Sequence, residues 1–348
     1  MPVPKICYPY NMDLETLLKN TSRSLYLSVR VLPRKIRPAF SVAYLLCRYA
    51  DTIADTSVLP VERRLHWIKL FPTLIKQQPV DQIQQLTQEI NGGSENPYEK
   101  ILIEHLPQCL QAYNKTDSQQ QIFIAEVAQS VCAGMQTDLT VFPTHETQNP
   151  VAFQTKDELK YYCRLMGGEP GLFWSRLCQQ IMAPLACQED FFHWGQHIGD
   201  TLQIVNILRD LPKDLRIGRC YFPLADLQTA GLVPTELLDP QNSARFEPVK
   251  QKWIAWALKR LGDGVPFFKL LPKTHPGLRA AVAWPMLWAA DTLYKLNQTP
   301  DLLNPQKRVK ITRTTIYLTL LLTPFILFSN RLFERWLTRK INKIQTGK

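Results

Sequence analysis

The sequence lacks several common functional motifs. Its eight cysteines form no Cys-x-x-Cys pair, and it contains no His-Glu-x-x-His, no Gly-x-Gly-x-x-Gly and no Gly-Lys-Ser/Thr. The scattered cysteines argue against a structural zinc site and a disulfide framework, and they indicate a reducing compartment. The missing glycine motifs argue against a Rossmann unit and a phosphate loop. No long apolar run follows the first basic residue, so we expect no signal peptide.

Positive charge is concentrated at the C-terminal end. The net charge is +11 over 348 residues, and residues 307–348 contain ten Lys or Arg and one Glu, which gives +9 (10 − 1). The remaining chain is nearly neutral, so we expect no nucleic-acid partner. A basic tail instead favours an anionic membrane surface.

The same tail contains an apolar stretch at residues 314–329, TTIYLTLLLTPFILFS, which is uncharged for 16 residues. A membrane-spanning helix needs about 20 residues, and Pro324 interrupts this stretch. Three interpretations stay open: a helix in the membrane interface, a single C-terminal span, and a helix packed in the core. We expect residues 306–348 to associate with the cytoplasmic side of a membrane, peripherally or as a single C-terminal anchor.

Helical periodicity dominates the chain, and no alternating strand pattern of useful length is present. Helices are predicted at 13–31, 36–55, 61–77, 98–113, 118–140, 155–183, 188–211, 246–263, 277–297 and 311–340. Proline and glycine clusters lie in the breaks between them. We therefore predict an all-α fold in which residues 1–305 form one helical domain.

Residues 41–55, SVAYLLCRYADTIAD, predict a buried helix that carries two carboxylates. Helical spacing places Tyr44, Arg48, Asp51 and Asp55 on one stripe, and apolar residues fill most of the remaining circumference. Carboxylates cannot stay unpaired in an apolar interior, so they predict a wet cavity, an arginine partner or a cation. The alternative is a solvated helix face or a salt bridge within the helix.

Residues 199–214, GDTLQIVNILRDLPKD, carry a second polar stripe. Gln203, Asn206, Asp210 and Asp214 step by three, four and four along an otherwise apolar helix. If the two stripes face each other, four carboxylates line one end of a cavity and offer oxygen ligands to Mg²⁺. The alternative is that the proline before Asp214 ends the helix and leaves this aspartate in a turn.

Glycines and a proline interrupt the helical pattern of residues 155–183 at MGGEPG, residues 166–171. Glycine weakens a helix by about 1 kcal/mol and proline by about 3 kcal/mol, so we expect a kink or a break there. The simple interpretation is a loop between two helices. The functional interpretation is a bend that lets a long ligand pass close to the backbone.

Four stretches also carry a resemblance when taken together. They are TSRSLYLSVRVLPRKIRPAFSVAYLLCRYADTIADT at 21–56, AGMQTDL at 133–139, YYCRLMGGEPG at 161–171 and NILRDLPKDLRIGRCYFP at 206–223. In this order they resemble the successive motifs of the squalene and phytoene synthase family. The resemblance implies a single-domain class I isoprenoid synthase, a helical bundle around a central cavity.

The resemblance also implies roles for residues at the matching positions. The Mg²⁺ ligands, with Mn²⁺ as an alternative ion, would be Asp51, Asp55, Asn206, Asp210 and Asp214. The substrate diphosphate would be bound by Arg23, Arg48, Asn206, Arg209, Arg216, Arg219 and Tyr221. The catalytic residues would be Asp51, Asp55, Asp210, Asp214 and Tyr162, the last for proton handling or cation stabilisation. Arg164 and Leu165 replace an aromatic residue that this family commonly carries, so core packing is an equal interpretation of Tyr162. Asp138 matches a family acid, with a capping or salt-bridge residue at a helix end as its alternative.

The reaction that the resemblance implies is the head-to-head condensation of two farnesyl diphosphates to presqualene diphosphate and then to squalene, with NADPH as reductant. The stretches TSRS and DTIAD look more like the squalene-forming branch of the family. One alternative is a phytoene or dehydrosqualene synthase that works without NADPH. Another is a non-catalytic assembly factor, which would have little reason to keep both acidic pairs and their arginines.

Overall fold

The computed structural model describes residues 14–21, 25–91, 97–142, 149–182 and 189–346, and these ranges are almost entirely helical. The prediction of an all-α fold is confirmed. The helices are α1 Leu14–Thr21, α2 Leu25–Arg30, α3 Arg37–Asp55, α4 Val61–Gln77, α5 Val80–Asn91, α6 Pro97–Glu104, α7 Leu106–Asn114, α8 Ser118–Val141, α9 Lys156–Cys163, α10 Glu169–Gln179, α11 Glu189–Leu215, α12 Leu224–Thr229, α13 Ser243–Gly262, α14 Gly264–Leu270, α15 Pro276–Asn297, α16 Arg313–Phe328 and α17 Asn330–Thr346. Two short 3-10 helices lie at Pro234–Leu238 and Pro240–Asn242.

The described residues also contain one small parallel sheet, made of β1 Val151–Ala152 and β2 Arg219–Cys220. The Val151 amide donates to Gly218 O at 2.9 Å, and the Phe153 amide donates to Cys220 O at 3.2 Å. Gly218 has a φ of +80°, which permits the sharp turn from α11 into β2. This pairing holds the chain after α11 beside the segment that follows α8.

The glycine-rich interruption forms a π-helical turn, Arg164–Gly168, rather than a loop. It joins α9 directly to α10, and the proline lies in the first turn of α10, where its missing amide costs little. Single π turns of this kind are frequent at functional sites. Helix α9 itself begins with a capping box, in which Thr155 and Glu158 satisfy each other's backbone amides.

Several predicted helix boundaries are wrong. The segment predicted as one helix at 98–113 divides at His105, and the segment at 311–340 divides at Ser329. Helix α5 was not predicted, because only Ile83, Leu86 and Ile90 mark its buried face in a glutamine-rich stretch. These breaks depend on how neighbouring helices cross, which local periodicity does not record.

Helix α11 continues through Pro212 to Leu215, whereas its predicted end was residue 211. A proline near a helix C-terminus removes a single backbone hydrogen bond, and the buried Leu211 and Leu215 anchor this last turn. Asp214 consequently lies on the same helix as Asp210.

Most of the core is one contiguous cluster built around α3 and α11, and a small second cluster lies between α15 and α16. Helix α3 packs on α4 and α8, and α11 packs on α10, α13 and α15. Helices α16 and α17 cover α15, and α17 also contacts α13 and α14. In the described part of the chain, no helix combines the length and the hydropathy that crossing a membrane requires.

Candidate active site

A cavity of about 490 Å³ lies between α2, α3, α8, α10, α11 and α15. Its lining is polar at one end, where Arg48, Asp51, Gln203 and Asn206 lie, and it is otherwise mainly apolar. Aromatic residues line the opposite part. Phe40 stacks on Phe173 with ring centroids 6.2 Å apart, and it meets Trp174 edge to face at 5.5 Å. Eleven residues separate Phe40 from Asp51 on α3, so the cavity extends for about 16 Å along this helix.

Three of the four residues on the polar stripe of α3 face this cavity, whereas Asp55 is exposed and lies outside its lining. Tyr44, Arg48 and Asp51 line it, and most other residues of the helix are buried in the core. Arg48 forms an ion pair with Asp51, and the Tyr44 hydroxyl donates to Thr21 O at 3.0 Å. Burial raises the pKa of Tyr44 to about 12, so its hydroxyl stays a hydrogen-bond donor at neutral pH.

Only the first half of the α11 stripe faces the same end of the cavity, and Asp210 and Asp214 lie outside its lining. Gln203 and Asn206 line the cavity, and Asn206 is exposed toward solvent. Arg209 donates two hydrogen bonds to Asp210, at 3.0 Å from Nε to Oδ1 and at 2.5 Å from Nη2 to Oδ2. Burial, followed by the neighbouring charge of Asp210, raises the pKa of Asp214 to about 7.

Arg219 connects the two acidic helices. Its guanidinium lies 3.8 Å from Asp55 Oδ1 on α3 and 3.7 Å from Asp138 Oδ2 on α8. Burial opposes the charge of this arginine, but Asp138, Tyr221 and Asp55 together raise its pKa above the usual value. The same positive charge lowers the cost of ionising Asp214. The carboxylates of both helices therefore share one electrostatic site, although they are far apart in the sequence.

Two tyrosines converge on Asp138 beneath this arginine. The Tyr162 hydroxyl donates to Oδ2 at 2.9 Å, and the Tyr221 hydroxyl donates to Oδ1 at 3.1 Å. The two rings stack with centroids 4.9 Å apart, and all three side chains are buried. Burial raises the pKa of both phenols well above their usual value and that of Asp138 to about 6. Asp138 is thus the centre of a buried hydrogen-bond cluster and does not cap α8.

The raised pKa of Asp138 predicts a specific pH dependence of stability. The folded state binds the proton of Asp138 more tightly than the unfolded state does. The stabilisation from this protonation is therefore fully present below about pH 4 and is lost as the pH rises through about 6. A rise of about two in the pKa corresponds to about 3 kcal/mol in the free energy of unfolding. We expect Asp138→Asn to flatten the dependence of the unfolding free energy on pH between these values, as measured by urea titration. The exposed Asp157→Asn is the control, and equal slopes in Asp138→Asn and wild type would contradict the assignment.

The remaining predicted residues lie at different places. Arg216 is exposed, and its Nη1 donates to Pro212 O at 3.3 Å within its own helix. Among the described residues it has no hydrogen bond or ion pair with the other candidates. Arg23 lies outside the residues that the structure describes. Gln203 lines the cavity but was not predicted as a site residue, although its place on the α11 stripe was enough to predict that it faces the site.

Glycines let the π turn and α10 approach α11 along one wall of the cavity. Gly167 faces Gly199 and Gly171 faces Gly195, and all four line the cavity. A Cβ atom at Gly199 would overlap the carbonyl oxygen of Gly167, and one at Gly171 would overlap that of Gly195. The wall here is therefore backbone, and a ligand in the cavity can lie directly against it.

The donor set fits a hard cation such as Mg²⁺. Carboxylate and amide oxygens are the ligands it prefers, and burial, followed by the charge of Asp210, raises the pKa of Asp214. In the described ranges, no three His, Cys, Asp or Glu side chains form a ready metal cage. Mg²⁺ does not require one, because it commonly binds through one or two carboxylates, with water and substrate phosphate as its other ligands.

Known proteins resemble this chain over most of its length. A family model described as Squalene/phytoene synthase matches residues 18–315. The chain is 28% identical over 308 residues to the presqualene diphosphate synthase of Zymomonas mobilis, covering 86% of this chain and 88% of that protein. It is 24% identical over 295 residues to the bifunctional lycopene cyclase/phytoene synthase of Podospora anserina, covering 82% of this chain and 46% of the relative. The chain thus spans about half the length of the bifunctional relatives.

A solved structure shows the same fold. The ligand complex of TcSQS superimposes with a TM-score of 0.73 at 20% sequence identity, covering 96% of this chain and 98% of that one. The helical cavity, the ordered motifs and the family match therefore agree. The chain belongs to the squalene/phytoene synthase family.

Proposed function

We propose that this chain condenses two farnesyl diphosphates head to head to presqualene diphosphate and then converts this intermediate to squalene. The observation that carries the proposal is the division of the cavity, with charged groups at one end and an apolar remainder. A prenyl diphosphate has the same division into an anionic head and a long apolar chain. Family membership and the resemblance to a presqualene diphosphate synthase support this reaction class.

Arginines of the polar end would bind the diphosphate. Arg48, Arg209 and Arg219 each lie beside an aspartate, and a guanidinium can exchange a carboxylate for phosphate oxygens in the same planar geometry. Arg216 and Tyr221 keep their predicted diphosphate role. For Tyr221 this would require its hydroxyl to leave Asp138.

The residues assigned to Mg²⁺, with Mn²⁺ as the alternative ion, are Asp51, Asp55, Asn206, Asp210 and Asp214. The ion, when bound, would neutralise charge that develops on the diphosphate leaving group. The chain's own part is to hold the head group at the polar end and to keep water away from the apolar part. Both tasks protect an allylic carbocation from premature capture.

Tyr162 and Asp138 would handle the proton released when the cyclopropane ring of presqualene diphosphate closes. The high pKa of Tyr162 keeps it a neutral phenol, so its oxygen can accept a proton only as its own proton moves to Asp138. Asp138 is suited to receive it because its pKa is raised to about 6 by burial. Reduction to squalene also requires a hydride, which NADPH would supply. We assign no residue to NADPH binding.

A phytoene or dehydrosqualene synthase is the alternative within the family, and the resemblance to a bifunctional lycopene cyclase/phytoene synthase favours it. A non-catalytic assembly factor is the alternative from another class. Against it, three arginines pair with the predicted aspartates, Arg48 with Asp51, Arg209 with Asp210 and Arg219 with Asp55. Such a protein has no physical reason to concentrate these charges.

Incubation of the purified chain with radiolabelled farnesyl or geranylgeranyl diphosphate and Mg²⁺, with and without NADPH, tests the proposal. We expect presqualene diphosphate from farnesyl diphosphate alone and squalene once NADPH is added, with both lost in a chelator. Phytoene from geranylgeranyl diphosphate would favour the alternative. No condensation product from either substrate would refute the enzymatic function.

A further inference from the structure

Helix α16 presents an apolar face to solvent. We define this outer face as Tyr317, Leu318, Leu321, Leu322, Phe325 and Phe328, all of which are exposed. Leu321 is 69% exposed and Phe325 is 65% exposed, which is unusual for side chains of this size. No charged residue lies between Arg313 and Arg331, so the face is continuous along the helix. Contiguous exposed apolar surfaces of this kind mark interaction sites.

The opposite face of α16 is the more polar one, and it is buried. Thr319 and Thr323 pack against α15, where the Thr323 hydroxyl accepts a hydrogen bond from Trp284 Nε1 at 2.8 Å. The buried Arg279 of α15 donates from Nε to Leu327 O at 2.6 Å. These bonds fix the rotation of α16 about its axis. The helix therefore turns Thr319 and Thr323 toward the protein together with Ile326 and Leu327, and it leaves the larger part of its apolar surface facing outward.

Exposed basic residues precede and follow the outer face along the chain. Arg313 begins α16, and Arg331, Arg335 and Arg339 are exposed on α17. Phe333 of α17 is buried, and its ring stacks on that of Phe268 with centroids 3.8 Å apart. The two helices thus combine an apolar surface with a positively charged border.

We propose that the outer face of α16 is a docking surface for a lipid bilayer with anionic head groups, on which α16 lies parallel to the membrane plane. Lipid is the occupant that the charge favours, because anionic head groups complement the basic border. A second copy of this chain would bring the same positive charge against itself. The parallel orientation follows from α16 resting along α15 with one face outward.

The docking surface lies close to the cavity. Ala281, Val282 and Pro285 of α15 line the cavity, whereas Ala280 and Trp284 of the same helix face α16. The outer face is therefore separated from the apolar part of the cavity by α16 itself and α15. The surface does not depend on the reaction proposed above, and vesicle binding is measured without turnover.

The test is flotation of the full-length chain with vesicles of phosphatidylcholine, alone or mixed with phosphatidylglycerol. We expect binding to the mixed vesicles, weakening as salt is raised. The triple variant Leu321→Gln, Phe325→Gln, Phe328→Gln should bind the mixed vesicles more than about tenfold more weakly. A second variant, Arg331→Gln, Arg335→Gln, Arg339→Gln, should lose up to roughly fivefold per arginine.

Val80→Gln and Ile122→Gln are the matched controls, because both residues are exposed and apolar but lie on α5 and α8. They should bind vesicles like the wild type. Unchanged vesicle binding by the triple variant would overturn the proposal. It would also be overturned if the wild type does not bind vesicles and sediments as a dimer that the triple variant dissociates, since the face would then join two copies of the chain.

Discussion

Replacing Asp51 or Asp210 with asparagine is expected to abolish measurable turnover, a loss of about 10³-fold or more, with little change in stability. Asp51 lines the polar end of the cavity, and Asp210 lies on α11 four residues after Asn206, which also lines it. Each aspartate pairs with an arginine of its own helix, Arg48 or Arg209. Asparagine keeps the size of the side chain but removes the charge needed to hold a cation against a diphosphate. Steady-state rates with farnesyl diphosphate, together with thermal unfolding, measure both effects.

Stability should survive because these ion pairs are partly exposed, and such pairs contribute only about 0–1 kcal/mol. The matched control is Asp157→Asn, whose carboxylate is exposed on α9 and pairs with Lys160 of the same helix. It should keep wild-type rates and stability. A near-normal rate in either Asp51→Asn or Asp210→Asn would show that the carboxylates do not hold the reacting head group.

Gly199→Ala should have the largest effect on stability. Its new methyl group would overlap the carbonyl oxygen of Gly167, so the π turn and α11 would have to separate along the cavity wall. Overpacking of this kind costs about 1–3 kcal/mol, and the overlap with rigid backbone favours the upper end. Displacement of the wall should also lower turnover. Urea unfolding and the assay with farnesyl diphosphate measure the two losses.

Gly262→Ala is the corresponding control. It lies at the end of α13, and a Cβ atom there would have no heavy atom within 4 Å. Alanine is the better helix former, so this variant should be neutral or stabilised by up to about 1 kcal/mol. If Gly199→Ala unfolded at the same urea concentration as the wild type, the close contact between the two helices would be disproved.

The sequence was sufficient for features that depend on local spacing. Asp51 and Asp55, like Asp210 and Asp214, are four residues apart, and helical geometry places such residues on one face whatever surrounds them. The all-α class followed from the same periodicity. The helix through Pro212 was predicted too short, because a proline is costly in isolation and only the packing of Leu211 and Leu215 keeps the last turn helical.

The tertiary structure decided which faces meet. The sequence by itself determined that α3 and α11 each carry an acidic stripe, but only the folded chain brings Arg219 between Asp55 and Asp138. Likewise, the composition of residues 314–329 determined an apolar helix, and only the contacts with α15 decided that its threonines turn inward. The physical reason is that periodicity fixes which residues share a face. The direction of that face depends on burial and hydrogen bonding summed over distant parts of the chain.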